Sequence, residues 1–151
     1  MLSVVLVEPE IPQNTGNVAR LCAATNAALH IVGVTGFRLD DRAVRRAGLD
    51  YWNEVELHRH RNIQGLYMSV GGARFVYCSK KAKLPYFEWP FEPNDYLVFG
   101  SETKGLSEEL LATNRERCIR IPMPNAKVRS LNLANSVAIV LYEALRQTIF
   151  S

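Results

Sequence analysis

The sequence predicts an α/β fold, a mainly parallel sheet flanked by helices. Three observations predict it. Short apolar runs rich in Val and Ile alternate with stretches of helical spacing, loops bearing Pro or Gly follow the runs, and the chain closes on a long amphipathic stripe. Leu2–Val7 is apolar except for Ser3, the pattern of a buried parallel strand. Glu8–Gln13 holds two prolines and is expected as a loop. Asn14 is then expected to cap a helix running through Ala27, with Val18, Leu21, Cys22 and Thr25 on its apolar face. Leu29–Val34 is the second strand, followed by a turn at Gly36 and a short charged helix over Asp40–Ala47, capped by Asp40 and Asp41. Glu54–His58 reads as a strand, Ile63–Val70 as a helix ended by Gly71-Gly72, and Arg74–Cys78 as a strand. Lys80–Asn94, with three prolines, is expected as a long loop before the Tyr96–Phe99 strand. Ser107 caps a helix to Thr113, and Cys118–Ile121 is a strand. The last helix spans Asn132–Ile149, where Leu133, Val137, Val140, Leu141, Ala144 and Leu145 recur at three- and four-residue steps.

At 151 residues, with 48% hydrophobic and 22% charged residues, the chain reads as a single globular domain over 1–151 with room for a sizeable core. A net charge of +3 permits an anionic partner without requiring one. Cys22, Cys78 and Cys118 are odd in number, widely spaced and free of any CxxC pair, so they read as buried thiols of a reducing compartment. The apolar start is cut short by Glu8 and Pro9 and lacks a basic lead, and no run approaches membrane-spanning length. A cytoplasmic location without a membrane partner is expected.

In such sheets ligands bind beyond the carboxyl ends of the strands. The informative loops fall there: Glu8–Asn17, Cys78–Lys83, Gly100–Leu106 and Pro122–Asn132. In Gly100-Ser101-Glu102-Thr103-Lys104-Gly105-Leu106, two glycines allow close backbone approach to a ligand. A phosphate loop needs its Lys and hydroxyl after the second Gly, whereas here Lys104 precedes it and Leu106 follows. Neither GxGxxG nor GxSxG occurs, which argues against an ordinary dinucleotide fold and a serine hydrolase. Asn14-Thr15-Gly16-Asn17-Val18-Ala19-Arg20 places Asn17 and Arg20 together on one helix face, an arrangement suited to an RNA phosphate. Ile121-Pro122-Met123-Pro124 is a rigid apolar strand exit able to wall a pocket for an adenine-like ring. Arg129-Ser130-Leu131-Asn132-Leu133-Ala134-Asn135-Ser136 brings more polar groups to a helix start than capping uses, and buried polar groups left without partners cost about 1–3 kcal/mol each. A ligand there is expected. Arg38, Arg42, Arg45, Arg46, His58, Arg59, His60 and Arg61 give the first half a basic bias, and Tyr51 and Trp52 between the two clusters are able to stack on bases, although a solvated charged face is the commoner explanation of such charges. His58 and His60 lack accompanying Cys or carboxylate ligands, so no metal is expected.

In order and spacing, these motifs resemble the SPOUT class of RNA methyltransferases, most closely the TrmL (YibK-like) tRNA 2′-O-methyltransferases, over nearly the whole chain. Glu8–Pro12 with Asn14–Arg20 is similar to the first family motif, Phe99–Leu106 to the second, and Ile121–Met123 with Arg129–Ser136 to the third; Arg45–Tyr51 is similar as well. Ala134 stands where members often have Ser, and Ser101 and Lys104 where close relatives have Pro and Arg. The resemblance implies a SPOUT fold with a C-terminal trefoil knot, a rare exception to unknotted chains. It also implies a homodimer, S-adenosyl-L-methionine as cofactor, and methylation of the ribose 2′-hydroxyl of the wobble nucleotide, cytidine or uridine 34, in the tRNA anticodon region. Carried over by position, Tyr77, Cys78, Gly100, Glu102, Gly105, Ile121, Met123, Ser130 and Leu131 line the cofactor pocket. Asn14, Asn17, Arg20 and Arg129 meet RNA, and Arg20, Glu102 and Asn132 are catalytic, with Glu102 and Asn132 orienting Arg20. A guanidinium keeps its proton in proteins, so Arg20 is expected to hold the phosphate and stabilise developing oxyanion charge. Two alternatives stay open: a knotted RNA-binding protein without turnover, and a 2′-O-methyltransferase of ribosomal RNA.

Overall fold

A computed structural model describes residues 1–40, 42–48 and 51–151. Seven strands form one sheet: β1 (Ser3–Val7), β2 (Ala28–Val32), β3 (Leu57–His60), β4 (Phe75–Cys78), β5 (Leu84–Pro85), β6 (Tyr96–Phe99) and β7 (Cys118–Arg120). Their order is β3-β2-β1-β6-β4-β7-β5, and every pairing is parallel. Parallel strands need crossovers, and among the described residues five α-helices supply cover: α1 (Pro12–Thr25), α2 (Arg42–Gly48), α3 (Ile63–Ser69), α4 (Glu108–Thr113) and α5 (Leu133–Thr148).

The two faces of the sheet carry separate cores. Val4, Leu6, Leu29, Ile31, Val76, Leu97, Phe99 and Ile119 meet α1 and α5 through Val18, Cys22, Val137, Val140 and Leu141. On the other face Val5, Val32, Phe75, Tyr77 and Val98 pack with Leu66, Leu106 and Leu111. Because β1 is covered on both faces, its residues from Val4 to Val7 are apolar without a break.

The departures from expectation have local causes. α1 begins at Pro12, two residues before the expected cap. Pro suits the first helical position because its missing N–H has no intrahelical partner, and Ile11 occupies the cap position with no side-chain bond. β3 is displaced to Leu57–His60 and a 3₁₀ turn takes Trp52–Glu54, because pairing with β2 rather than an apolar pattern defines this polar edge strand. β2 ends at Val32 because Gly33 turns the chain at φ +83°. The expected Lys80–Asn94 loop contains the two-residue β5, whose Pro85 is tolerated at a sheet edge, and a 3₁₀ turn at Tyr86–Glu88. Caps at Asn62 and Ser107 accept from Gly65 N–H at 2.8 Å and Leu110 N–H at 3.1 Å. Asp41, part of the expected α2 cap, lies outside the described residues, as do Leu49 and Asp50 of the Arg45–Tyr51 stretch.

Candidate active site

Because all strands run the same way, their carboxyl ends share one edge, and the motif loops meet there. The loop after β6 is shaped by Gly100. A Cβ on Gly100 would sit 2.1 Å from the Gly105 carbonyl carbon, so only glycine lets the loop fold back on itself. Gly105, at φ +65°, donates its N–H to Ser101 O at 3.0 Å and closes the turn. This hairpin aims Glu102 at the start of α1.

Glu102 is the hub of the site. Its Oε1 accepts from Glu10 N–H and its Oε2 from Ile11 N–H, each at 2.8 Å. A carboxylate here satisfies free N–H groups at the entry to α1 and complements the positive end of the helix. Oε2 also accepts from Asn14 Nδ2 at 3.2 Å, and Asn14 Oδ1 accepts from Asn132 Nδ2 at 3.0 Å. Asn132 Oδ1 caps α5 by accepting from Ala134 N–H at 2.9 Å and Asn135 N–H at 3.3 Å. Three motifs are thus tied by one chain of hydrogen bonds, with the buried Asn14 at its centre. A second tie is Glu10, whose carboxyl is held below the usual range by the hydroxyl and N–H of Thr103.

The hydrogen bonds of Glu102 and Asn132 run to Asn14 and to backbone groups rather than to Arg20. Glu102 and Asn132 meet at Asn14, whereas Arg20 lies six residues further along α1, about 9 Å of helical rise away. Its guanidinium rests over the Tyr51 ring, 5.0 Å from the centroid. Asn17 is exposed on the same helix. Asn14, expected to contact RNA, is instead buried and turned into the network.

Beside Glu102 opens a cavity of about 130 Å³ walled by Cys78, Phe99, Gly100, Ile121, Met123, Ser130, Leu131 and Leu133. Seven of the nine expected pocket residues line it, Glu102 included. Tyr77 and Gly105 do not. Side chains alternate along a strand, so with Cys78 toward the cavity Tyr77 faces the other side of the sheet, where its hydroxyl meets that of Tyr67 at 2.5 Å. Tyr77 and Gly105 both border a broader groove of about 1070 Å³ rimmed by Arg61, Lys104 and Arg117. Burial pushes the Cys78 thiol up to about 12, so it lines the cavity uncharged at neutral pH. Ser79, Lys80, Phe99, Ser101, Leu133 and Ser136 also line the cavity and were not among the expected pocket residues. The position of Lys80 just past the end of β4 was the available signal. Lys80 Nζ donates to the carbonyl of Arg129 at 3.1 Å, fastening the Pro122–Asn132 loop over the cavity.

The polar cluster also differs from expectation. Arg129 through Asn132 and Asn135 are exposed rather than buried at the helix end, so water can satisfy them, and only Asn132 is committed to capping. Among the described residues no group of three or more His, Cys, Asp or Glu is placed to hold a metal, and no helix is long and apolar enough to cross a membrane.

The walls fit a flat heteroaromatic ring. Apolar surfaces from Phe99, Ile121, Met123 and Leu131 enclose it, backbone groups of three loops border it, and the Glu102 carboxylate lies nearby to favour a cationic group. Comparison with known proteins is concordant. The model of the SpoU rRNA Methylase family matches residues 1–142. A tRNA (cytidine(34)-2'-O)-methyltransferase of Burkholderia pseudomallei is 45% identical over 99% of this chain and 97% of its own. A solved structure that gives insights into the 2-OH methylation of C/U34 on tRNA superposes with a TM-score of 0.92 at 46% identity, covering 97% of this chain and 95% of that one. An AdoMet-bound rRNA methyltransferase of Sinorhizobium meliloti superposes at 0.86 with 26% identity, over 96% of this chain and 56% of that one.

Proposed function

Since the chain belongs to the SpoU rRNA methylase family, we propose that it transfers a methyl group from S-adenosyl-L-methionine to the ribose 2′-hydroxyl of nucleotide 34, cytidine or uridine, in tRNA. The observation that carries this reading is the Glu102–Asn14–Asn132 chain of hydrogen bonds beside the apolar cavity. It holds three loops in one arrangement, and alignment of reacting groups accounts for much of the rate of such a transfer.

Cys78, Gly100, Ile121, Met123, Ser130 and Leu131 would hold the adenosyl part, with Glu102 facing its positive charge. When bound, the cofactor supplies an electrophilic methyl carbon. Arg20 binds the adjoining phosphate and stabilises negative charge growing on the 2′-oxygen; a guanidinium does this as a fixed cation. Asn17 and Arg129 extend the RNA contact as exposed groups. The same family resemblance implies a C-terminal trefoil knot; the segment before β6 is tied to α5 where Phe91 N–H donates to Gln147 Oε1 at 2.9 Å. The exposed Tyr142, Ile149 and Phe150 at the end of α5 support a homodimer. The enzyme acts as one domain over 1–151, in the cytoplasm, where tRNA is modified.

Incorporation of tritiated methyl groups into total tRNA and ribosomal RNA tests this reading. Label in tRNA alone, released as a 2′-O-methylated nucleotide 34, is the expected result. Label in ribosomal RNA alone would move the substrate, and cofactor binding without label in either would make the chain a binding protein.

A further inference from the structure

We propose that Tyr51 is the positioning residue for Arg20: its ring holds the guanidinium by one face and leaves the in-plane N–H donors free for RNA. The inference rests on the reading that Arg20 meets the reacting ribose and its phosphate.

Arg20 projects from the exposed side of α1, where a long flexible side chain samples many rotamers. Among the described residues no carboxylate pairs with it; its contact is the Tyr51 ring, 5.0 Å from Cζ. The distinction matters chemically. An ion pair would occupy the donors that a phosphate and an oxyanion require, whereas a cation–π contact occupies only the face of the guanidinium. The ring contact therefore restrains the side chain without a carboxylate that would compete with RNA for its donors.

The backbone that carries the ring is held. Glu54 N–H donates to Tyr51 O at 2.9 Å, starting the 3₁₀ turn that follows. The next residue, Trp52, packs against the α1/α5 core and lies under the Arg45 guanidinium at 6.0 Å. α2 is seated on α1 where a Cβ on Gly16 would meet the Ala47 Cβ at 2.5 Å, so the backbone on both sides of Arg20 is held. Tyr51 is 38% exposed, far enough from the core that its role is not to fill it.

The test is steady-state methylation of tRNA by the full chain carrying Tyr51→Phe, Tyr51→Leu, Tyr51→Met or Arg20→Ala, each checked for an unchanged urea midpoint. Tyr51→Phe keeps the ring and is expected within about twofold of the parent. Tyr51→Leu and Tyr51→Met lose it, and kcat is expected to fall roughly fivefold or more, with KM for S-adenosylmethionine unchanged. Full kcat in both aliphatic variants while Arg20→Ala is inactive would overturn the proposal and leave the site reading intact. A rise in KM for tRNA with kcat unchanged would overturn it too, making Tyr51 a platform for a base. Normal turnover by Arg20→Ala would overturn the site reading and this proposal together.

Discussion

Asn14 uses both ends of its amide, donating to Glu102 and accepting from Asn132, so its orientation is fixed by chemistry rather than by packing alone. Asn14→Asp replaces the donor with a second carboxylate facing Glu102. We expect it to lower stability by about 1–3 kcal/mol in urea unfolding and to cut methylation at least roughly tenfold. Arg20 is the opposite case, since it is exposed and its loss leaves no buried group unpaired. Arg20→Ala is expected to reduce turnover by about 10²–10³-fold, the range for removing one preorganised charge-stabilising group. Its unfolding free energy should stay within about 0.5 kcal/mol of the parent, as for an ordinary surface change. The residue pair Tyr77 and Cys78 shows what the sequence held in plain view. Neighbours in a strand face opposite sides, so the two could not both line one cavity. The partner of Glu102 was hidden for a different reason: Asn14 and Glu102 are 88 positions apart, and no periodicity encodes a contact between loops.

At the scale of elements, the α1–α2 contact depends on the absence of a side chain at Gly16, where a Cβ would fall 2.5 Å from both the Ala47 Cβ and the Val44 carbonyl oxygen. Gly16→Ala forces those helices apart. The expected cost is about 1–3 kcal/mol, read as a lower urea midpoint, and methylation should fall with it because α2 leads into the Tyr51 turn. The apolar elements were legible. β1, β4 and β6 follow from their runs of Val, Leu and Phe, and α5 from its stripe, to within a residue or two. The elements that were misplaced are those whose residues do not announce them. β3 reads Leu-His-Arg-His and exists because β2 offers it a free edge, and β5 is two residues recruited by β7. The start of α1 was misread because an acceptor from a distant loop, Glu102, does the work that a local cap was expected to do.

For the molecule as a whole, one consequence of pairing β2 with β3 is a stack of three imidazoles. His30 lies 4.7 Å from His58 and 5.1 Å from His60 between ring centroids, its Nδ1 2.9 Å from His60 Nε2, with Tyr96 alongside and Glu56 bonded to His58. Burial, and then His58 and His60, push His30 down to about 4, and burial, and then His58, lower His60. A histidine whose proton is disfavoured in the folded state binds more protons when unfolded. This contribution to stability is therefore full above about pH 6.5, falls as pH drops from there toward 4, and levels off below. Urea unfolding at pH 7.5 and pH 5 should show it, and His30→Phe should flatten the difference. The same global view explains how much of the site could be read in advance. Four motif loops were assigned to the carboxyl ends of strands from order and spacing, and parallel topology does bring them to one edge. How Asn132 reaches Asn14 could not be read, because it depends on where the last helix docks. That docking has a consequence for biosynthesis. Residues 14 and 132 are 118 positions apart, so while the protein is still being translated its first motif has emerged but its amide partner has not. Every nascent chain short of α5 therefore lacks the amide that completes this network, which closes only after α5 has emerged and docked.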